Sequence, residues 1–184
     1  MATTTTMTGA AFDQLPFDKF HRWELLHGEL IAVPAKTPRH QIIVGMLSAD
    51  LYEYLRQNGG GIAVWGCEYA LGEDDRLTPD VGILFREKWE SVDRNKTPIP
   101  LPPDIAVEVI DPGDLAEYSL RKIWTYLGSG VKEVWQIVPE IEIVMIYRGV
   151  KSVTVLDVAE SLSTPLLPGW EISVRQIFSA RRQP

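Results

Sequence analysis

Apolar positions change period several times along the chain, and each change predicts an element. Trp23-Glu24-Leu25-Leu26-His27-Gly28-Glu29-Leu30-Ile31-Ala32-Val33 reads as two short strands about a His27-Gly28 turn, closed by Pro34. From Arg39 to Gln57 the period becomes helical. Ile42, Ile43, Met46, Leu47, Leu51, Tyr54 and Leu55 recur three and four residues apart, and Asn58-Gly59-Gly60-Gly61 stops the helix. Ile62–Leu71 and Thr78–Phe85 read as strands separated by the acidic turn Gly72-Glu73-Asp74-Asp75, and the charged, proline-rich segment Glu87–Pro103 reads as a loop.

Asp104–Ile110 is a short apolar strand, and Asp111-Pro112-Gly113 turns into a helix predicted to begin at Asp114. Asp114 and Glu117 have capping-box spacing there, and Gly128 and Gly130 end the helix. Its buried stripe is expected at Leu120, Ile123, Trp124 and Leu127. Val134–Val138 and Glu142–Arg148 read as a hairpin about Pro139-Glu140, and Ser152–Asp157 reads as one more strand. Leu166–Phe178 offers a Pro168-Gly169 turn followed by a strand or short helix. The sum is an α/β (α+β) pattern: a mixed β-sheet core flanked by two main helices, with additional antiparallel strands and no internal repeat.

Length and composition narrow this picture. The 184 residues, 45% hydrophobic and 23% charged, suit one globular domain over residues 21–180, with residues 1–20, including the threonine run Thr3–Thr6, as a loosely ordered tail. The single Cys67 leaves no disulfide framework and no cysteine-based zinc site. No apolar run approaches the ~18–20 residues that span a bilayer, and no signal-peptide core is evident, so a cytoplasmic protein is expected. A net charge of −7 argues against coating nucleic acid nonspecifically, which needs lysine and arginine over many phosphates. An acidic metal site inside a locally basic groove is compatible with that charge.

The candidate chemistry begins at Glu108. Strand alternation puts it on one face with Ala106 and Ile110, and a carboxylate in the middle of an apolar strand needs a compensating arginine, hydrogen-bond network or metal. Asp80, in Thr78-Pro79-Asp80-Val81, opens another apolar strand, where an aspartate commonly caps a turn. Two acids on adjacent buried strands together suit a hard, oxygen-seeking cation such as Mg²⁺ or Mn²⁺. Lys122 is the third element. The strand advances about 10 Å from Glu108 to Asp111 at roughly 3.3 Å per residue. The helix returns about 12 Å from Asp114 to Lys122 at 1.5 Å per residue. A helix folded back along the sheet therefore puts Lys122 level with Glu108, although a solvated lysine is the ordinary helical alternative.

The order of these pieces resembles the Uma2 family of PD-(D/E)xK proteins. The resemblance rests on Pro79-Asp80, Val107-Glu108-Val109, the helix bearing Lys122, and Gly130-Val131-Lys132-Glu133-Val134-Trp135, preceded by Trp23–Leu30 and His40. It runs from about Arg22 to Tyr147. It implies a restriction-endonuclease-like fold and an endonuclease cutting phosphodiester bonds in DNA, with Asp80 and Glu108 on Mg²⁺ or Mn²⁺ and Lys122 beside them. One position departs from the family name: two residues after the glutamate stands Ile110, where a lysine is expected. The resemblance implies that the lysine has migrated to the following helix as Lys122. It also favours Glu24 over Glu29 as an additional site acid. His40 is read as either a phosphate contact or a helix-start residue, Arg121 and Lys132 as phosphate contacts or solvated charges, and Tyr126 and Trp135 as core. A homodimer would suit two-strand cutting. A non-catalytic dimeric binding module on the same fold, and a metal-dependent phosphoesterase acting on another substrate, remain as alternatives.

Overall fold

The computed structural model describes residues 6–16 and 18–179. Thr8 caps a four-residue helix, α1 (Gly9–Phe12), its hydroxyl accepting from the Ala11 N–H. Part of the segment expected as a loose tail is therefore tied down. The Met7 N–H donates to the Gly28 carbonyl, and Asp13 pairs with Arg76 at 2.8 Å. Thr3, Thr4 and Thr5 lie outside the described residues. Strands β1 (Arg22–Leu26) and β2 (Glu29–Val33) form the expected hairpin. Its two turn residues, His27 and Gly28, have φ of 54° and 75°, the left-handed geometry that two-residue hairpin turns require. The acidic turn holds His27 there, Asp75 accepting its N–H at 2.7 Å.

Helix α2 (Pro38–Asn58) has Thr37 as its N-cap, proline in its first turn and Gly59 in left-handed geometry at its end. The expected strand Ile62–Leu71 is in fact two: β3 (Gly61–Trp65) and β4 (Tyr69–Ala70), which join different sheets, with Gly66 at φ 64° in the break between them. Thr78–Phe85 likewise shortens. β5 (Arg76–Leu77) precedes it and β6 (Val81–Phe85) follows Pro79-Asp80. The loop predicted over Glu87–Pro103 opens with a helix, α3 (Arg86–Ser91), because its first residues are good helix formers and the prolines come later.

After β7 (Ile105–Val109), helix α4 (Ala116–Gly128) starts two residues later than predicted. Asp114 does not cap it. That carboxylate instead accepts from Lys36 at 2.8 Å and from the Asp111 N–H at 2.9 Å. The buried face of α4 is also rotated from the expected stripe: Lys122, Ile123, Thr125 and Tyr126 are buried, whereas Leu120 and Trp124 are 45% and 43% exposed. Strands β8 (Glu133–Val138), β9 (Ile143–Tyr147) and β10 (Val153–Leu156) complete the main sheet. An antiparallel ribbon of β11 (Ser161–Ser163) and β12 (Glu171–Ser173) leads into α5 (Val174–Phe178); β11 was not anticipated.

The main sheet runs β10-β9-β8-β7-β6-β3, antiparallel except for the β7–β8 pair that α4 connects. A smaller sheet runs β2-β1-β5-β4. Alternation along β7 divides the interior in two. Ile105, Val107 and Val109 join α2, α5 and the stacked pair Trp135–Trp170 in one core. Ala106 joins Leu26, Leu77, Ile123 and Tyr126 in the other, under α4 and the small sheet. Glu108 projects from that second face. Among the described residues no helix is long and apolar enough to cross a membrane.

Candidate active site

Strand pairing places the two acids. Val81 pairs with Val107 and the β6–β7 ladder ends there, so Asp80 lies beside the last residues of β7. The Val109 N–H, left without a ladder partner on that side, donates to Asp80 Oδ2 at 2.8 Å. The first turn of α2 delivers His40, whose Nε2 lies 3.1 Å from the same oxygen in a ring that is 2% exposed. His40 Nδ1 has no hydrogen-bond partner among the described residues. Within a strand the N–H and C=O of one residue point to the same side. The Val109 carbonyl therefore faces the Asp80 edge as well.

Helix α4 supplies the counter-charge. Tyr118, Lys122 and Tyr126 are four residues apart and line one helix face. Lys122 Nζ lies 2.8 Å from Glu108 Oε1 and 3.2 Å from Glu24 Oε2, and only 8% of its side chain is exposed. The Tyr126 hydroxyl donates to Glu108 Oε1 at 2.7 Å, and the Tyr118 hydroxyl donates to Glu24 Oε2. Glu24 comes from β1 of the small sheet and is fully buried, accepting the Thr78 N–H at 2.8 Å. The structure thus brings Glu24, His40, Asp80, Glu108 and Lys122 into one cluster built from β1, α2, β7, α4 and the segment leading into β6.

Burial sets the electrostatics. The Glu108 carboxyl is pushed up to about 7, chiefly by loss of solvent, with Asp80 and Glu24 adding to the rise and Lys122 opposing it. Burial also raises Asp80, but hydrogen bonds from His40 and Val109, with the Lys122 charge, outweigh it and hold this carboxyl below its ordinary value. Burial works against the Lys122 ammonium, and the attraction of Glu108 and Glu24 more than compensates, so it stays protonated. Burial and the nearby carboxylates raise both tyrosine hydroxyls, which keeps them donors. Once Glu108 is ionised, three carboxylates around one ammonium leave a surplus of negative charge.

That surplus fits a hard cation. Asp80 and Glu108 each commit one oxygen to the protein bonds above, and the other oxygen of each has no protein partner among the described residues. Both acids line a cleft with Arg22, Glu24, Tyr118 and Lys122. Two free carboxylate oxygens and the Val109 carbonyl suit Mg²⁺, which keeps several waters and binds few protein groups. They do not form a complete protein cage. No group of three or more His, Cys, Asp or Glu positioned to hold a metal occurs among the described residues.

Other candidates lie elsewhere. Glu29 pairs with Arg121 at the surface, at 2.8 Å, and Lys132 pairs with Asp104 at 3.0 Å. The carbonyls of Glu73 and Asp74 hold Gly9 and Gly28, so the acidic run is an anchoring turn. Trp135 is core, as expected, but Tyr126 also carries a hydroxyl to Glu108. Sequence reasoning missed Tyr118 altogether. The four-residue spacing on either side of Lys122 was the available signal for both tyrosines.

Comparison with known proteins bears on the family and the fold. The model of the family Uma2, described as "Putative restriction endonuclease", matches residues 10–175. Among solved structures, the chain is similar to a "putative nuclease belonging to DUF820" from Anabaena variabilis ATCC 29413, with a TM-score of 0.85 at 20% identity, covering 94% of this chain and 98% of that one. No curated protein matches.

Proposed function

The chain belongs to the Uma2 family, and from that premise we propose that it is a Mg²⁺-dependent endonuclease hydrolysing phosphodiester bonds in DNA. The observation that carries the reading is the meeting of Asp80, Glu108 and Lys122 at one cleft, from the residue leading into β6, from the adjacent strand β7 and from the helix after it. Asp80, Glu108 and the Val109 carbonyl would hold the ion. Bound there, it would supply Lewis-acid polarisation of a phosphoryl oxygen and a water of lowered pKa.

The chain's own residues do the positioning. Lys122 carries a fixed positive charge beside Glu108, where a phosphate drawn into the cleft accumulates negative charge in the transition state. Glu24, itself held by the Tyr118 hydroxyl, pairs with the lysine, so its ammonium is aimed before substrate arrives. His40 and the Val109 N–H fix one Asp80 oxygen and leave the other free. Tyr126 does the same for Glu108.

A net charge of −7 favours a second reading, in which the same site acts on a smaller phosphoester or the fold serves as a non-catalytic binding module. The test is cleavage of plasmid DNA, RNA and small phosphodiesters with and without Mg²⁺. The proposal expects Mg²⁺-dependent DNA cleavage that Glu108→Ala abolishes while the circular dichroism spectrum is kept. Full activity in a clean Glu108→Ala preparation would sink it.

A further inference from the structure

Strand β10 ends the six-stranded sheet, and its outer edge is uncovered among the described residues. The Arg148 N–H donates to the Ser152 carbonyl, which makes 148–152 a hydrogen-bonded pair of the β9–β10 ladder. Antiparallel ladders alternate, so Thr154 and Leu156 also turn their backbone groups toward β9. Val153 and Val155 then turn theirs outward, and their side chains are 46% and 52% exposed. Open backbone groups flanked by exposed valines are a template for strand addition.

The sequence around this edge says what would add to it. Val150-Lys151-Ser152-Val153-Thr154-Val155-Leu156-Asp157-Val158 is nearly symmetric about Thr154 in its apolar positions and antisymmetric in its charges. In an antiparallel pair of two identical strands centred on Thr154, Val153 opposes Val155, both with outward backbone groups, and Lys151, in the hairpin turn just before one strand, comes to the same end as Asp157, just past the end of the other. Shifting by two residues in either direction sets Lys151 against Val155 or Asp157 against Val153. Only the centred register matches valine to valine and cation to anion. Asp157 already commits Oδ1 to the Ala159 N–H and its own N–H to Glu160, which leaves Oδ2 for a lysine.

We propose that β10 is a self-association edge. Two copies of this chain pair antiparallel along Val153–Val155 about a two-fold axis at Thr154, with Lys151 of each against Asp157 of the other. This interface lies three strands away from β7 and does not depend on the chemistry proposed for that strand.

Sedimentation velocity of the full chain at low and high micromolar concentration tests it. The wild type dimerises, and Lys151→Glu and Asp157→Lys each raise the dimer dissociation constant by about tenfold or more, since each sets like charges opposite one another twice. An equimolar mixture of those two variants restores association, because the heterodimer regains both opposite-charge pairs. Val155→Pro removes an outward N–H that has no partner within the chain, so it abolishes association while the melting temperature stays close to wild type. A wild type monomeric throughout, a dimer indifferent to Val155→Pro, or a mixture that does not associate overturns the proposal.

Discussion

Strand β7 is bracketed by two acid–lysine arrangements that look alike in the sequence and differ in what they can do. Asp104, just before the strand, is buried, and both of its oxygens are engaged: Oδ1 with Lys132 at 3.0 Å and Lys88 at 3.3 Å, Oδ2 with the Phe85 N–H at 2.8 Å. Its lysines reach in from solvent, Lys132 with 51% of its side chain exposed. Glu108, four residues on, meets a lysine that is itself buried, shares it with Glu24, and keeps an oxygen toward a cleft. The first arrangement joins β7 to β6 and β8 and is complete. The second gathers more negative charge than it neutralises once Glu108 is ionised, and its uncommitted carboxylate oxygens belong to residues that line the cleft. Burial of a carboxylate therefore does not by itself mark a site; unspent bonding capacity beside a buried counter-charge does.

The contrast can be broken most severely through activity. Glu108→Ala is expected to reduce Mg²⁺-dependent DNA cleavage to background, while Asp104→Asn leaves the rate of the folded fraction unchanged in the same plasmid assay. Loss of cleavage in both would make the two ends of β7 equivalent.

Stability gives the next largest difference. Lys122→Met strips the counter-charge from two buried carboxylates and should cost about 3–5 kcal/mol in urea denaturation. Lys132→Met, which removes a largely exposed lysine, should cost about 0–1 kcal/mol. Similar losses for the two would refute the claim that burial of the lysine separates the sites.

A smaller effect follows from protonation. The folded-state pKa of Glu108, about 7, lies above its ordinary 4.5, so the folded protein binds that proton more tightly than the unfolded chain does. The resulting stabilisation is full below about pH 4.5 and is lost as pH rises through about 7. Asp80 has the opposite sign: its depressed pKa stabilises above the ordinary carboxylate range and is lost as pH falls. Calorimetric melts of the metal-free protein should therefore lose stability between about pH 5 and pH 8, and Glu108→Gln should flatten that slope. An unchanged slope in the variant would remove Glu108 as its origin.

Much of this was legible beforehand, for reasons particular residues show. Apolar runs bounded by glycine and proline marked most strands, and rise-per-residue arithmetic put Lys122 level with Glu108. Misreadings came where tertiary contacts decide between local options. Asp114 has the spacing of a cap but is claimed by Lys36 and the Asp111 N–H, so α4 begins later. Leu120 and Trp124 fit the apolar period of α4, yet the helix turns Lys122 and Tyr126 inward, because buried carboxylates there offer the partners those groups need. Glu24 lies 54 residues from Thr78 and 98 from Lys122, and no local pattern predicts such pairings; the family resemblance favoured Glu24, and the fold brings the three together.

Metal binding tests the central claim most directly, because it asks whether the open oxygens of Asp80 and Glu108 are a cation site. Titration calorimetry of Mn²⁺ into the wild type should give saturable binding that Glu108→Gln and Asp80→Asn each abolish and Asp104→Asn leaves intact. Absence of binding to the folded wild type, or undiminished binding to Glu108→Gln, would contradict it.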